Sequence, residues 1–94
     1  MAPRLRVRLL GLRTGPRKIE LELALTSGSV AGIVVDLMRR DRLVAQRRLS
    51  VLETRPTRVV LSTFDHARLR PGHYRLSVRL SSKTLLERRL FIRE

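Results

Sequence analysis

The sequence predicts an all-β fold, an antiparallel sandwich or small barrel made of about seven short strands. Three observations predict it. Apolar and polar residues alternate with a period of two in several segments, turn-forming residues interrupt these segments every ~8 to 12 residues, and no segment has a long helical period. The 94 residues are 43% hydrophobic, enough for one core and not for two, so we expect a single domain over residues 1–94.

The first two strands have the clearest alternation. Arginines alternate with Leu and Val from Arg4 to Leu9, which predicts a strand that begins by Arg4. Residues 18–26 carry four apolar side chains on one face and two glutamates on the other. The sequence Thr-Gly-Pro at 14–16 and the sequence Ser-Gly-Ser at 27–29 supply turns after each strand.

The five later strands are predicted at residues 32–39, 43–51, 58–64, 74–81 and 85–93. Arg40, Asp41 and Arg42 form a turn, and Pro56 ends any strand that precedes it. The last segment is in phase except at Arg88, which requires either a β-bulge or an arginine stem lying along the sandwich edge.

One segment, residues 69–78, has the signature of a corner between two sheets. Pro71 and Gly72 form a turn, Leu69 plugs the end of the core, and Tyr74 begins a strand. This segment resembles the corner before the penultimate strand of immunoglobulin-like and fibronectin type III-like domains, and is most similar to immunoglobulin-like modules of bacterial surface and secreted proteins. The resemblance implies a seven-stranded antiparallel immunoglobulin-like β-sandwich in which the Tyr74 hydroxyl bonds to upstream backbone.

The chain is strongly basic. It has 21 Lys plus Arg against 8 Asp plus Glu, a formal net charge of +13, and the two halves are about equally basic. In the implied topology the first two strands are neighbours, so we expect Arg6 and Arg8 to pair across the ladder with Glu20 and Glu22. That face would then be nearly neutral.

The opposite sheet, made of strands three, six and seven, is expected to carry an arginine-rich patch, offset only by Asp36 and Glu87. A patch that mixes arginine with apolar and aromatic groups is typical of contact surfaces. A solvated face of an arginine-biased protein is the alternative. Stacking on single-stranded nucleic acid is not favoured, because the chain has three aromatic residues and we expect two of them inside. The candidate contact residues are Arg75, Arg79, Arg89, Arg93, Phe91 and Met38, beside Val34.

No motif with a catalytic mechanism occurs in the sequence. The chain has no cysteine, no phosphate-binding glycine loop and no zinc-protease motif. Asp65, His66 and His73 form the one cluster of possible ligands, but a metal site needs at least three that converge. We therefore expect solvated loop side chains, no cofactor and no enzyme activity.

The sequence thus predicts a structural or protein-interaction module, part of a larger exported or surface protein. The predicted strands fill the chain from end to end, as in a domain excised from a longer protein. Its partner would be a protein or a neighbouring domain, and the localisation extracellular or at the cell surface. Two alternatives remain: a basic module that binds nucleic acid or acidic polysaccharide through its arginine-rich face, and self-assembly through an edge strand. No stretch is long and apolar enough to span a membrane.

Overall fold

A computed structural model describes residues 6–93 of the chain, which form two antiparallel sheets. The predicted all-β class is confirmed, and seven strands are present. A three-stranded sheet has the order β1-β2-β5, and a four-stranded sheet has the order β4-β3-β6-β7. The strands are β1 Val7–Thr14, β2 Lys18–Leu25, β3 Val30–Arg39, β4 Arg42–Leu52, β5 Thr57–Ser62, β6 Gly72–Leu80 and β7 Lys83–Ile92.

The two sheets share one apolar core, in a sandwich-like arrangement. Ile19, Leu23 and Leu61 of the first sheet and Leu37 and Leu76 of the second are fully buried. They lie at alternate strand positions, as a period of two requires. Burying a side chain of this size stabilises the fold by roughly 1.5–3 kcal/mol relative to its exposed state.

The first strand reaches the predicted turn at residues 14–16. It continues to Thr14, because an irregularity between Leu9 and Gly11 adds one residue to β1 and keeps the strand paired with β2. The predicted start at Arg4 and Leu5 lies outside the described residues.

The extra residue also changes which charges meet. Beyond it, Arg13 lies opposite Glu20. Before it, Arg8 lies opposite Ala24 and the Arg6 carbonyl oxygen accepts from the Thr26 amide, so the expected pairing of Arg6 and Arg8 with Glu20 and Glu22 is wrong. The ion-pair partners of Glu20 are instead Lys18 on its own strand and Arg58 on β5.

In the four-stranded sheet, β3 changes at Gly32 which of its alternate positions face the core. The glycine's φ of +75° lies in the left-handed region that side chains rarely adopt. On one side of Gly32, Ile33 is buried and pairs with Leu80. On the other side the buried residue is Leu52, opposite Val30, while Val51 is 46% exposed. One glycine therefore keeps both halves of the β3–β4 pair on the core.

The last strand, β7, contains a bulge, and it also has Arg88 exposed at the sandwich edge. An extra residue, Leu85, lies between the pairs Val78–Leu86 and Arg79–Thr84. Arg88 itself stays in register opposite the buried Leu76, and its side chain is exposed because β7 is an edge strand. Arg88 thus occupies a position where the strand's alternation points toward the core. The edge position of β7, rather than the bulge, allows a long charged side chain there.

The chain between β5 and β6 differs from prediction. The fifth strand ends at Ser62 instead of 64, and Phe64–His66 form a short 3-10 turn. Phe64 is 49% exposed and Phe91 57% exposed, so only Tyr74 of the three aromatic residues is inside. The expectation that two would be buried is wrong. Between residues 6 and 93, no helix is long and apolar enough to cross a membrane.

Candidate functional site: two arginine-rich surfaces

The outward side of the four-stranded sheet, here called the arginine face, is organised around Asp36. This residue lies on β3 between Gln46 of β4 and Ser77 of β6. Arg79 donates from Nε to Asp36 Oδ2 at 2.6 Å, and Gln46 donates from Nε2 to Oδ1 at 2.8 Å. Only 8% of the Asp36 side chain is exposed. The carboxylate therefore links three strands and neutralises one arginine in the middle of the face.

The next row on the arginine face puts two arginines side by side. Met38 lies opposite Arg75, and Arg75 lies opposite Arg89 on β7. Arg75 meets Glu87 at 3.6 Å, with both side chains half-exposed. Within residues 6–93, no carboxylate is within ion-pair distance of Arg89. Like charges directly opposite each other destabilise a sheet, so this row is a local conflict that an anionic partner would relieve.

Phe91 extends this row toward the end of the sheet. It lies opposite His73 on β6, and the two rings make an edge contact with centroids 4.9 Å apart. Phe91 is the most exposed of the large apolar side chains described. Arg93 is exposed one residue beyond the end of β7.

The structure thus brings most of the predicted contact residues together. Met38, Arg75 and Arg89 form one row, with Phe91 beyond it. Arg79 lies in a different row, beside Val34, and its guanidinium is already bound to Asp36. Two further members of the face come from β4 and were missed, because β4 had not been placed in this sheet: these are Gln46 and Arg48.

The predicted corner residues lie at the end of the four-stranded sheet that carries Phe91. Two of them, Leu69 and Tyr74, are buried on the core side. Tyr74 is buried and its hydroxyl donates to the carbonyl oxygen of Arg70 at 2.6 Å. Leu69 is 8% exposed, and its amide donates to Pro16 in the β1–β2 turn at 2.7 Å. Gly72 has a φ of +139°, next to the exposed Pro71. The Arg39 guanidinium carbon lies 6.0 Å from the centre of the Tyr74 ring.

A second surface, here called the end groove, was not anticipated. It lies between residues 39–44, around the β3–β4 turn, and residues 63–70, which follow β5. Its lining includes apolar groups, two aspartates and five arginines, namely Arg39, Arg40, Arg42, Arg68 and Arg70. The arginines are far apart in the sequence, in two groups, so only the turn geometry brings them together. The available signal was Arg39, Arg40 and Arg42, close together in the sequence, where only the end of a strand and a turn were predicted.

The predicted ligand cluster does not assemble. Asp65 and His66 belong to the 3-10 turn, whereas His73 lies on β6 against Phe91. In the described part of the chain, no group of three or more His, Cys, Asp or Glu residues is placed to hold a metal ion.

On the other sheet, Glu20 forms ion pairs with two basic residues. Arg58 Nη2 lies 2.9 Å from Glu20 Oε2, and Lys18 Nζ lies 3.5 Å from Oε1. The hydrogen bond from Arg58 lowers the pKa of Glu20 below its usual value, against a smaller opposing effect of desolvation. This pair joins β2 to β5 and is structural in kind.

No protein-family model matches the chain, and no curated protein sequence matches it significantly. The surface chemistry of the sandwich is therefore the guide to its function.

Proposed function

We propose that the chain is a non-catalytic, immunoglobulin-like β-sandwich module that binds a protein partner through its arginine face. The immunoglobulin-like assignment is supported by the strand order, in which β5 joins β1 and β2 while β6 and β7 join β3. It is also supported by the hydrogen bond from the Tyr74 hydroxyl to Arg70, four residues upstream, the arrangement typical of the tyrosine corner.

The observation that carries the binding proposal is the row formed by Arg75 and Arg89 with Phe91 beyond it. Arginine and aromatic side chains are enriched at the centres of protein interfaces, and Phe91 is 57% exposed here. The guanidinium group stays protonated at all ordinary pH values, so it binds anions rather than acting as a general base. The face is consequently suited to recognition rather than to chemistry.

The surface beside the row is cross-linked by hydrogen bonds between strands. Asp36 joins Arg79 and Gln46 across three strands, so the partner would meet a preformed sheet instead of a mobile loop. Preformed surfaces lose less conformational entropy on binding. The resemblance to bacterial surface modules extends the proposal to a setting: a domain of a larger exported or surface protein.

Site-specific photo-crosslinking tests the protein-partner proposal. A photo-reactive phenylalanine analogue is placed at position 91, and in a matched variant at position 51, in the organism that encodes the protein. Val51 is a suitable control because it is also a large exposed apolar residue of the four-stranded sheet, but it lies at the opposite end from Phe91. A discrete crosslinked protein is expected from position 91 and not from position 51. Absence of a product, or equal products from both positions, would count against the proposal.

A second candidate is polyanion binding by the same face, which is supported by the charge of Arg89, opposite Arg75 and outside every ion pair among residues 6–93. It is tested by titration with a DNA oligomer and with heparin at two salt concentrations. Binding that saturates at ~0.15 M salt, and that is lost in the double variant Arg75→Glu, Arg89→Glu, would favour this candidate. The control is Arg8→Glu with Arg55→Glu, two exposed arginines outside the face. Equal losses would indicate a general effect of net charge.

Edge-strand self-assembly receives less support. Arg47 on β4 lies opposite the buried Val35, and Arg88 on β7 lies opposite the buried Leu76. Each edge strand of the four-stranded sheet therefore has one arginine at a position where the alternation points the side chain toward the core. Charges in this position are a device that natural sheets use against edge-to-edge pairing.

A further inference from the structure

We propose that the end groove is a second binding site, separate from the arginine face, and that it takes an acidic peptide segment containing apolar residues. The groove has two walls. One is the β3–β4 turn with Arg40 at its tip, and the other is the 3-10 turn with Phe64 and the chain that follows it.

The charges of the groove point to an anionic occupant. Five arginines and two aspartates line it, which leaves an excess of three positive charges. None of the four ion pairs found within residues 6–93 involves a residue of the groove. The guanidinium groups can therefore bind carboxylates in the bidentate geometry that arginine favours.

Apolar groups lie between these charges. Phe64 is 49% exposed at the groove, although it is a large aromatic residue, and Leu43 and Val44 are half-buried in the opposite wall. Exposed apolar area rimmed by charge marks a site for an apolar side chain of a partner. An acidic peptide with interspersed leucines would satisfy both features.

The two aspartates decide between a peptide and a nucleic acid. Asp41 and Asp65 stand in opposite walls of the groove. A nucleic-acid strand carries one negative charge per nucleotide and would meet both carboxylates at close range, which is unfavourable. A peptide can place neutral residues at those points. The groove contains one exposed aromatic side chain, Phe64, whereas stacking platforms for bases use several.

The wall that follows β5 is held in place by hydrogen bonds from side chains to its backbone. Thr63 donates from Oγ1 to the carbonyl oxygen of Ala67 at 2.6 Å, and Tyr74 donates to Arg70 at 2.6 Å. Left-handed φ values at non-glycine residues occur in both walls, at Arg40 (55°) and Asp65 (57°). Residues held in such conformations cluster at binding sites, because the surrounding structure must stabilise them.

Fluorescence anisotropy with labelled peptides tests the proposal. The probes are a peptide of repeated Glu-Glu-Leu units, a peptide of repeated Glu-Glu-Ser units and an oligo-dT strand, each at ~0.15 M salt. We expect saturable binding of the Glu-Glu-Leu peptide, weakened about tenfold in the double variant Arg42→Glu, Arg68→Glu. The matched double variant Arg8→Glu, Arg55→Glu carries the same change in net charge outside the groove and should weaken binding less than about twofold.

A second variant separates the apolar contribution from the charge. In Phe64→Ser, binding of the Glu-Glu-Leu peptide should weaken while binding of the Glu-Glu-Ser peptide stays unchanged, since only the former places an apolar side chain in the groove. Circular dichroism of each variant confirms that the fold is retained. Three results would each overturn the proposal: no saturable peptide binding, equal weakening by the two double variants, or tighter binding of oligo-dT that depends on Arg42 and Arg68.

The same variants distinguish this site from the arginine face. The double variant Arg75→Glu, Arg89→Glu should weaken peptide binding in the groove by no more than the control variant, less than about twofold, because neither residue lines the groove. Loss of peptide binding in that variant would place the peptide on the arginine face instead and would overturn the groove as a separate site.

Discussion

Arg79 and Asp36 form an ion pair between neighbouring strands of the four-stranded sheet, with Nε and Oδ2 2.6 Å apart, on the side of the sheet that faces away from the core. The carboxylate is 8% exposed and the arginine 38%. A largely buried carboxylate on an outward face is unusual, since such groups are hydrated unless bonded. The centre of the face around Asp36 is therefore packed and hydrogen-bonded, whereas Arg75 and Glu87 are half-exposed.

Asp36→Asn should lower the free energy of unfolding by about 1–2 kcal/mol. The amide nitrogen of asparagine would face either the Arg79 donor or the Gln46 donor, so one hydrogen bond to a charged group is lost. This expected loss is smaller than for a fully buried ion pair, because Arg79 is partly exposed. Urea denaturation measures it. Glu87→Gln removes the half-exposed ion pair with Arg75 and should change stability by less than about 0.5 kcal/mol; equal effects of the two substitutions would contradict the assignment.

Tyr74→Phe should destabilise the protein by about 1 kcal/mol, because it removes the hydroxyl donor to Arg70 and leaves the ring in the core. The melting temperature and the urea midpoint report the change. Thr57→Val is the matched control: it removes a hydroxyl that bonds to Arg55 at 3.4 Å on the surface, and little change is expected. If Tyr74→Phe were as stable as the unaltered protein, the corner bond would contribute nothing to the fold.

Gly32→Ala should destabilise the protein by roughly 1–2 kcal/mol, because alanine is strained at a φ of +75° even though open space surrounds the position. Gly11→Ala provides the comparison. A Cβ at Gly11 also meets nothing within 4 Å, and no unfavourable φ applies there, so the substitution should be neutral or stabilising by up to about 1 kcal/mol. Thermal unfolding compares the melting temperatures of the two variants. Equal changes in melting temperature would show that the backbone of β3 does not require glycine at position 32.

The Glu20–Arg58 pair makes part of the stability depend on pH. The pKa of Glu20 is lowered in the folded protein, so the pair stabilises the fold fully above the unfolded glutamate pKa of about 4.3 and loses its effect as the pH falls through the lower folded value. The difference in unfolding free energy between the unaltered protein and Glu20→Gln should therefore shrink as the pH falls from neutrality toward ~3.

The same measurement in an Arg58→Gln background isolates the cause. Glu20 then keeps only its 3.5 Å contact with Lys18, and the pH-dependent difference should be smaller throughout. A difference that is constant with pH, or one that grows as the pH falls, would exclude the lowered pKa as the source of stability.

The sequence alone determined the all-β class and the seven strands, because alternation of apolar residues is a local property that survives whatever the strands pair with. Residues 18–26 illustrate this, since the buried positions Ile19, Leu21 and Leu23 follow directly from their period of two. The sequence also indicated that Met38, Arg75 and Arg89 share a face, given the strand neighbours that the resemblance implied.

Tertiary structure decided the register, the sheet assigned to β4 and the end groove. One inserted residue in β1 moved Arg13 opposite Glu20, and no composition or period predicts where such a residue falls. Arg48 joined the arginine face because β4 pairs with β3, a long-range choice made by packing. The end groove unites arginines from positions 39–42 and 68–70, which only the folded turns bring together. Local alternation fixes which side of a strand is apolar, whereas pairing between distant strands fixes which charges meet.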